Sequence, residues 1–350
     1  MSNHDESTGP EGYDQPAVEA WIADHVPQLR PPLQWTRLEG GHSNLTYRLQ
    51  DRNGKQAVIR RPPQGELLPG AHDMNREWSL IAALGPTPVP VPEALAFCED
   101  ESITGARFYL MGLVDGLPLY NRSETEARVP PTARGDLAWS FVDVLADLHA
   151  LEPDSIGLGR LSKKEDYVGR QLKTWYRSWN ASREAGGFDD ERAHSLHRFF
   201  LDNLPDQGPA RVVHGDYGLH NCLIGSSGTV VAVVDWEIST LGDPLADLAY
   251  ALNQWPEPGG TGIADTAPTT APGFPARSAM AARYAARTGR DLGRLEYYSG
   301  FNHWKTAAIV QGVYSRYLSG QKSSEGVDVD HLRERVGLAL SLAEAAVARL

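Results

Sequence analysis

The stretch HGDYGLHN, residues 214–221, sets Asp216 five positions before Asn221. A carboxylate and an amide at that interval could be the two ends of a turn, or a proton acceptor and a cation ligand on one loop. Fourteen residues beyond Asn221 the apolar run TVVAVVDW reaches Asp235. An acid just past a strand is again either a cap or a ligand for a hard cation. Charge bounds what these residues could act on. Lys+Arg 33 against Asp+Glu 45 gives a net charge of −12. Phosphate repulsion then argues against broad nucleic-acid or anionic-membrane binding and favours a small-molecule or protein partner.

The elements that must position these residues follow from periodicity. With 350 residues the chain exceeds what one hydrophobic core usually serves, so two lobes are expected. The polar first 16 residues read as a disordered tail, and a short helix is expected over 17–26. QWTRLEG and LTYRLQD read as strands around a Gly-Gly-His-Ser-Asn turn, and Asn53-Gly54 signals a hairpin into KQAVIRR. Met74, Trp78, Ile81 and Leu84 recur at helical spacing before Gly85. PTPVPVP must be extended and leads to two more strands, ALAFCED and ARFYLMGLVDG. Residues 34–112 are therefore expected to form a five-stranded antiparallel sheet with one helix. From 134 onward helices dominate, interrupted by ARVVHGD and TVVAVVDW, which read as a small hairpin with each other. The fold class is α+β, a small sheet lobe over 17–114 and a large mostly helical lobe over 115–350.

Cys98 and Cys222 show no metal-ligand spacing and no pairing pattern, which points to a reducing, cytoplasmic setting with two core thiols. No stretch approaches 18 apolar residues and no apolar leader is present, so no membrane span is expected.

Taken in order, the glycine-bearing hairpin, a basic residue on the third strand, an acid on the next helix, HGDxxxxN and the strand-end aspartate resemble the protein-kinase-like fold. The HGD form is similar to its aminoglycoside phosphotransferase and choline kinase-like branch. RRPP, AHDMNRE, GRQLKTWY and DWEISTLGDPLADLAY resemble more closely the kinase-like domain fused to acyl-CoA dehydrogenases in larger proteins. The resemblance spans roughly 34–318 and implies ATP and Mg²⁺ as cofactors. It casts Asp216 as the base that orients the acceptor hydroxyl, and Asn221 and Asp235 as Mg²⁺ ligands. Arg60 stands in AVIR where a lysine usually meets the α- and β-phosphates, with Glu77 as its partner; a planar fork must grip phosphate differently from a point charge. Gly41, Ser43 and Asn44 fall at the phosphate-holding turn, though GGHSN lacks the full glycine pattern. The carbonyl of Gly112 and the N–H of Val114 fall at the adenine-holding hinge. His214 and Asp247 are expected to support the loop rather than react, and His220 falls at a variable position.

Only residues 236–246 separate Asp235 from Asp247, too few for the peptide platform of protein kinases, so the expected partner is a small-molecule hydroxyl acceptor. The acid surplus would suit an aminoglycoside. The segment 159–177, with a local charge of +4 (Arg160, Lys163, Lys164, Arg170, Lys173 and Arg177 against Glu165 and Asp166) and aromatic residues interleaved, would suit a CoA-linked acceptor or be a solvated helix. The dehydrogenase-fused resemblance favours the hydroxyacyl type. No dehydrogenase domain is expected in these 350 residues. The alternative is a non-catalytic, kinase-shaped nucleotide-binding module, suggested by Arg60 and the sparse glycine turn.

Overall fold

The computed structural model describes residues 9–38, 44–65, 72–186, 188–257, 266–319 and 329–350. The elements run α1 (Gln15–His25), β1 (Gln34–Arg37), β2 (Leu45–Gln50), β3 (Gln56–Arg61), α2 (Met74–Leu84), β4 (Ala94–Cys98) and β5 (Phe108–Gly112). There follow α3 (Arg122–Arg128), α4 (Arg134–Ala150), α5 (Tyr167–Gly186), α6 (Glu191–Asp202), β6 (Arg211–Val213), β7 (Cys222–Ile224), β8 (Val230–Val233) and β9 (Thr240–Gly242). The chain continues through α7 (Pro244–Leu252), α8 (Arg277–Thr288), α9 (Leu295–Leu318) and α10 (Val329–Val347). It divides into two compact units: Met1–Leu117 with Asn221–Ile238, and Pro118–His220 with Ser239–Leu350.

The first unit is built on the expected five-stranded sheet, ordered β1-β2-β3-β5-β4 with every neighbouring pair antiparallel. Side chains alternate along β2, burying Leu45, Tyr47 and Leu49 in a cluster with Val18 and Ile22 of α1 and with Val26 just beyond it. Ile59 of β3 joins the same cluster, so the period of two turns its neighbour Arg60 to the opposite face. On α2 the residues Met74, Glu77, Leu80, Ile81 and Leu84 are buried, and Asp73 caps the helix by accepting from the N–H groups of Asn75 and Arg76. The tail expected over the first 16 residues ends sooner. Tyr13 is buried, donates its hydroxyl to the Leu45 carbonyl at 2.9 Å and packs edge-on against Tyr47, since an aromatic ring beside a half-covered sheet gains more from burial than from mobility. Residues 1–8 lie outside the described residues.

The expected hairpin between 210–216 and 229–236 does not form. β8 pairs instead with β7, across a tight turn in which Gly225 N–H bonds the Thr229 carbonyl, while β6 pairs with β9. The intervening CLI was too short to read as a strand, yet the glycine-bounded GSSG turn gives it the nearest available partner. Residues 221–238, beyond the expected boundary at 115, group with the sheet: Val233 N–H bonds the Pro90 carbonyl at 2.8 Å, and Leu117 pairs with Ile224.

The second unit packs around α9, a 24-residue helix buried on most of its sides. Trp304 on it donates to the Ala193 carbonyl at 2.9 Å, and Tyr297 to the Phe200 carbonyl at 2.6 Å, so these large rings are buried with their polar tips satisfied. At α7 the sequence GDP places Asp243 as N-cap, accepting from Leu245 N–H, with Pro244 at the first helical position. Gly242 is needed just before it, because a Cβ there would sit 2.6 Å from the Tyr167 ring. Both cysteines are free and buried. Among the described residues no helix is long and apolar enough to cross a membrane.

Candidate active site

In the sheet unit, strand alternation and the buried face of α2 bring Arg60 and Glu77 together: Arg60 Nε lies 2.9 Å from Glu77 Oε2. The same guanidinium reaches a second carboxylate, with Nη2 2.9 Å from Asp235 Oδ1. Asn44 faces Arg60 too; with its amide oxygen toward the guanidinium it accepts from Nη2 at 2.8 Å and donates to His72 Nδ1 at 3.0 Å. Tyr109 donates its hydroxyl to the same Glu77 oxygen, Oε2, at 2.8 Å. Burial opposes the charge on Arg60, but attraction from Glu77 first, then Tyr109, Asp235 and Glu237, outweighs it and raises its pKa. The pair expected from AVIR and REW is therefore buried, well beyond the small contribution of a surface pair.

Asp235 follows β8 with φ of 65°, in the left-handed region that aspartate enters more readily than most side-chain-bearing residues. Glu77, Asp235 and Glu237 each bring a carboxylate oxygen to within 4.8 Å of the others, a hard-oxygen set that fits Mg²⁺ better than a soft metal. Glu237 is thus a candidate that the sequence reading missed. Its signal was its place two residues after Asp235, beyond the run that ends the strand. Asn221 belongs to this unit as well, its backbone carbonyl accepting from Val234 N–H at 2.9 Å beside Asp235. Gly112 closes β5 opposite Ala57, its N–H donating to the Glu93 carbonyl at 2.8 Å, with half-buried Val114 two residues on. Gly41 and Ser43 lie outside the described residues.

The helical unit holds Asp216. The preceding Gly215 has φ of 85°, which explains the central glycine of HGD, and its N–H donates to Asp247 Oδ1 at 2.8 Å. Asp247 also accepts from His214 N–H at 2.7 Å and lies 3.2 Å from His149 Nε2. Burial would raise the Asp247 pKa, yet these partners, His149 foremost, hold it below the usual carboxylate value. His214 Nδ1 accepts from Asp216 N–H at 3.3 Å, and Ser239 donates to the His214 carbonyl at 3.1 Å. His214 and Asp247 thus shape the loop, as expected of them.

Two groups that the sequence reading did not assign hold the Asp216 carboxylate. Tyr250 donates a short hydrogen bond from its hydroxyl to Oδ1, and His220 Nε2 lies 3.3 Å from the same oxygen. Burial pushes the Asp216 pKa up, but the His220 bond and charge, then Tyr250 and His214, bring it down to about 2. Tyr250 was findable: it sits one helical turn beyond Asp247 on α7, so both residues face one side. In the basic segment 159–177 Tyr167 is buried, whereas Trp175 and Tyr176 are half-buried. Tyr167 is buried against Gly242, and Tyr176 stacks on His197 with ring centroids 3.7 Å apart. Lys164 pairs with Asp154 at 2.5 Å, leaving Arg160, Lys163, Lys173 and Arg177 exposed.

This arrangement offers an ionised carboxylate able to accept a hydroxyl proton, and an acidic, arginine-bridged cluster able to hold a divalent cation and phosphate oxygens. The model of the phosphotransferase enzyme family matches residues 34–298. Acyl-CoA dehydrogenase family member 11 of Rattus norvegicus is 35% identical over 329 residues, which cover 89% of this chain and 41% of that protein. The chain thus spans less than half the length of such curated relatives. A crystal structure from Ralstonia eutropha, assigned as an aminoglycoside phosphotransferase, superimposes with a TM-score of 0.80 at 30% identity, covering 95% of this chain and 99% of that one. ADP-bound aminoglycoside phosphotransferase APH(2'')-Ib shares the fold at a TM-score of 0.58 and 15% identity, covering 95% and 98%. The described fold is accordingly the kinase-like phosphotransferase fold.

Proposed function

The chain belongs to the phosphotransferase enzyme family, and from that premise we propose that it transfers the γ-phosphoryl group of ATP to a hydroxyl of a small molecule. The observation that carries this reading is Asp216, a carboxylate kept ionised by three named neighbours and presented on a loop anchored to Asp247. Asp216 accepts a hydrogen bond from the acceptor hydroxyl, aims its oxygen and receives its proton late, as a loose transition state requires. A carboxylate with a pKa near 2 is a weak base, so it acts first by orientation.

In the sheet unit Arg60 offers its fork to phosphate oxygens, and Glu77 fixes that fork from behind. Asp235 and Asn221, with Glu237 beside Asp235, would hold Mg²⁺. When bound, the cation neutralises charge on the phosphate oxygens and draws them into line. Gly112 and Val114 offer backbone groups to the adenine, and Gly41, Ser43 and Asn44 take the phosphate-turn role. ADP bound to a protein of the same fold supports a nucleotide here.

For the acceptor, similarity to acyl-CoA dehydrogenase family members supports a hydroxyacyl compound above an aminoglycoside. The test is an ATP-consumption screen across hydroxyacyl-CoAs, hydroxy acids, aminoglycosides, choline-like alcohols and sugars. Turnover with at least one class is expected, with Mg·ATP affinity weakened in Asp235→Ala. If Asp216→Ala turns over as fast as the wild type, the assignment fails.

A further inference from the structure

Lys305 lies on α9 at 5% exposure, with its Nζ 5.7 Å from the ring centre of Tyr250 and 5.9 Å from that of Trp175. Among the described residues it makes no ion pair and its ammonium donates no hydrogen bond. The acids that attract it, Asp247 and Asp216, are occupied by other donors: Asp247 by two backbone N–H groups and His149, Asp216 by Tyr250 and His220. Its neighbours on the helix are satisfied, Asn302 by the Ala246 carbonyl and Trp304 by the Ala193 carbonyl. An ammonium taken out of water with two aromatic faces and no counter-ion is costly, and the cost falls when an anionic or strongly polarised oxygen arrives. Burial pulls the Lys305 pKa below the ordinary lysine value, in keeping with a cation short of partners.

Tyr250 joins this lysine to the site already described, because the ring under the ammonium carries the hydroxyl bonded to Asp216. We propose that Lys305 selects the acceptor by binding an acyl oxygen, carboxylate or thioester carbonyl, in a compound whose hydroxyl faces Asp216. A fixed positive charge there also rejects amines, which sets this site against a polycationic acceptor despite the net charge of −12. The inference rests on the phosphotransferase reading for the role of the hydroxyl, while binding by the lysine can be measured without turnover.

The experiment titrates the full chain calorimetrically, without nucleotide, against four probes: β-hydroxybutyrate, its N-acetylcysteamine thioester, the matching diol and the matching amino alcohol. The wild type is expected to bind one acyl probe at least about 30-fold more tightly than diol or amine, as a charge-assisted hydrogen bond allows. Whichever acyl probe binds better identifies the source of the oxygen. Lys305→Met keeps the volume and removes an unpaired buried charge, so it should fold; it is expected to collapse the ratio to within about 3-fold. Lys305→Arg should retain most of the preference. Equal binding of diol or amine by the wild type, preserved discrimination in Lys305→Met, or no acyl binding at about 10 mM would overturn the proposal. ADP release from the same probes reads the phosphotransferase assignment separately: lysine-dependent binding without ADP release would defeat that assignment alone, and turnover that prefers the amine would defeat the lysine proposal alone.

Discussion

The two halves of the chemistry are charged by different means. In the sheet unit one guanidinium lies 2.9 Å from both Glu77 and Asp235, with the Glu237 carboxylate beside them and His72 Nδ1 3.5 Å from Glu237, so three carboxylates surround one fixed cation. In the helical unit Asp216 is held by a tyrosine hydroxyl, a histidine and a backbone geometry fixed by Asp247, so protein donors alone keep it ionised. The first arrangement suits the proposed uptake of a cation and phosphates. The second suits a carboxylate that must be ready before any ligand arrives. A buried charge can be balanced by an opposite charge or dispersed over hydrogen bonds, and this chain uses one solution in each unit.

The sharpest break in that comparison is expected from Asp216→Ala, which should lower turnover about 10²–10⁴-fold while leaving Mg·ATP affinity nearly unchanged. ADP release and calorimetry on one preparation would show the split. Next is Arg60→Met. It leaves Glu77, whose side chain is only 2% exposed, without its counter-charge, and should cost about 3–5 kcal/mol in urea unfolding. Arg60→Lys should restore much of that stability without the second contact to Asp235, since an ammonium cannot fork.

Acid should act through the helical unit. Burial, with Arg277 and Arg349 nearby, lowers the His303 pKa from 6.5 to about 4. The unfolded chain therefore binds a proton there that the folded chain refuses. The contribution is fully present above pH 6.5 and is lost as pH falls toward 4, with a slope of up to about 1.4 kcal/mol per pH unit. Urea midpoints at pH 7.5 and 5 should converge in His303→Gln relative to wild type; an unchanged difference would remove His303 from the account. The smallest effect is expected from Tyr250→Phe. Losing one donor to Asp216 should slow turnover by about fivefold, the worth of roughly 1 kcal/mol. The Asp216 pKa should rise, so the acid limb of the pH–rate profile moves to higher pH.

Much of the sheet unit was legible beforehand. Alternation along LTYRLQ and QAVIRR, the Asn53-Gly54 turn and the helical spacing of Met74, Ile81 and Leu84 each reflect a local period, and local periods survive in sequence. Strand alternation and a helix face fixed where Arg60 and Glu77 sit locally, while their pairing was legible only through the resemblance to the kinase-like fold. CLI was hidden because three apolar residues carry no period, which is why the pairing of β6 and β8 was misread. Tyr13 was hidden because a polar-looking tail gives no sign of the apolar surface it meets.

The sequence by itself determined the order of the chemical groups, the sheet and helix types and the identity of the residues on the loop around Asp216. Backbone propensity, turn chemistry and side-chain period act within a few residues and can be read in place. The tertiary structure alone decided that Arg60 reaches Asp235 across 175 positions, that Tyr250 and His220 share the Asp216 carboxylate, and that Lys305 is buried beside Tyr250 without an ion pair among the described residues. Those contacts arise from which apolar faces bury against which. A contact between distant residues exists only once both supporting elements are packed, and no local pattern in either segment specifies its partner.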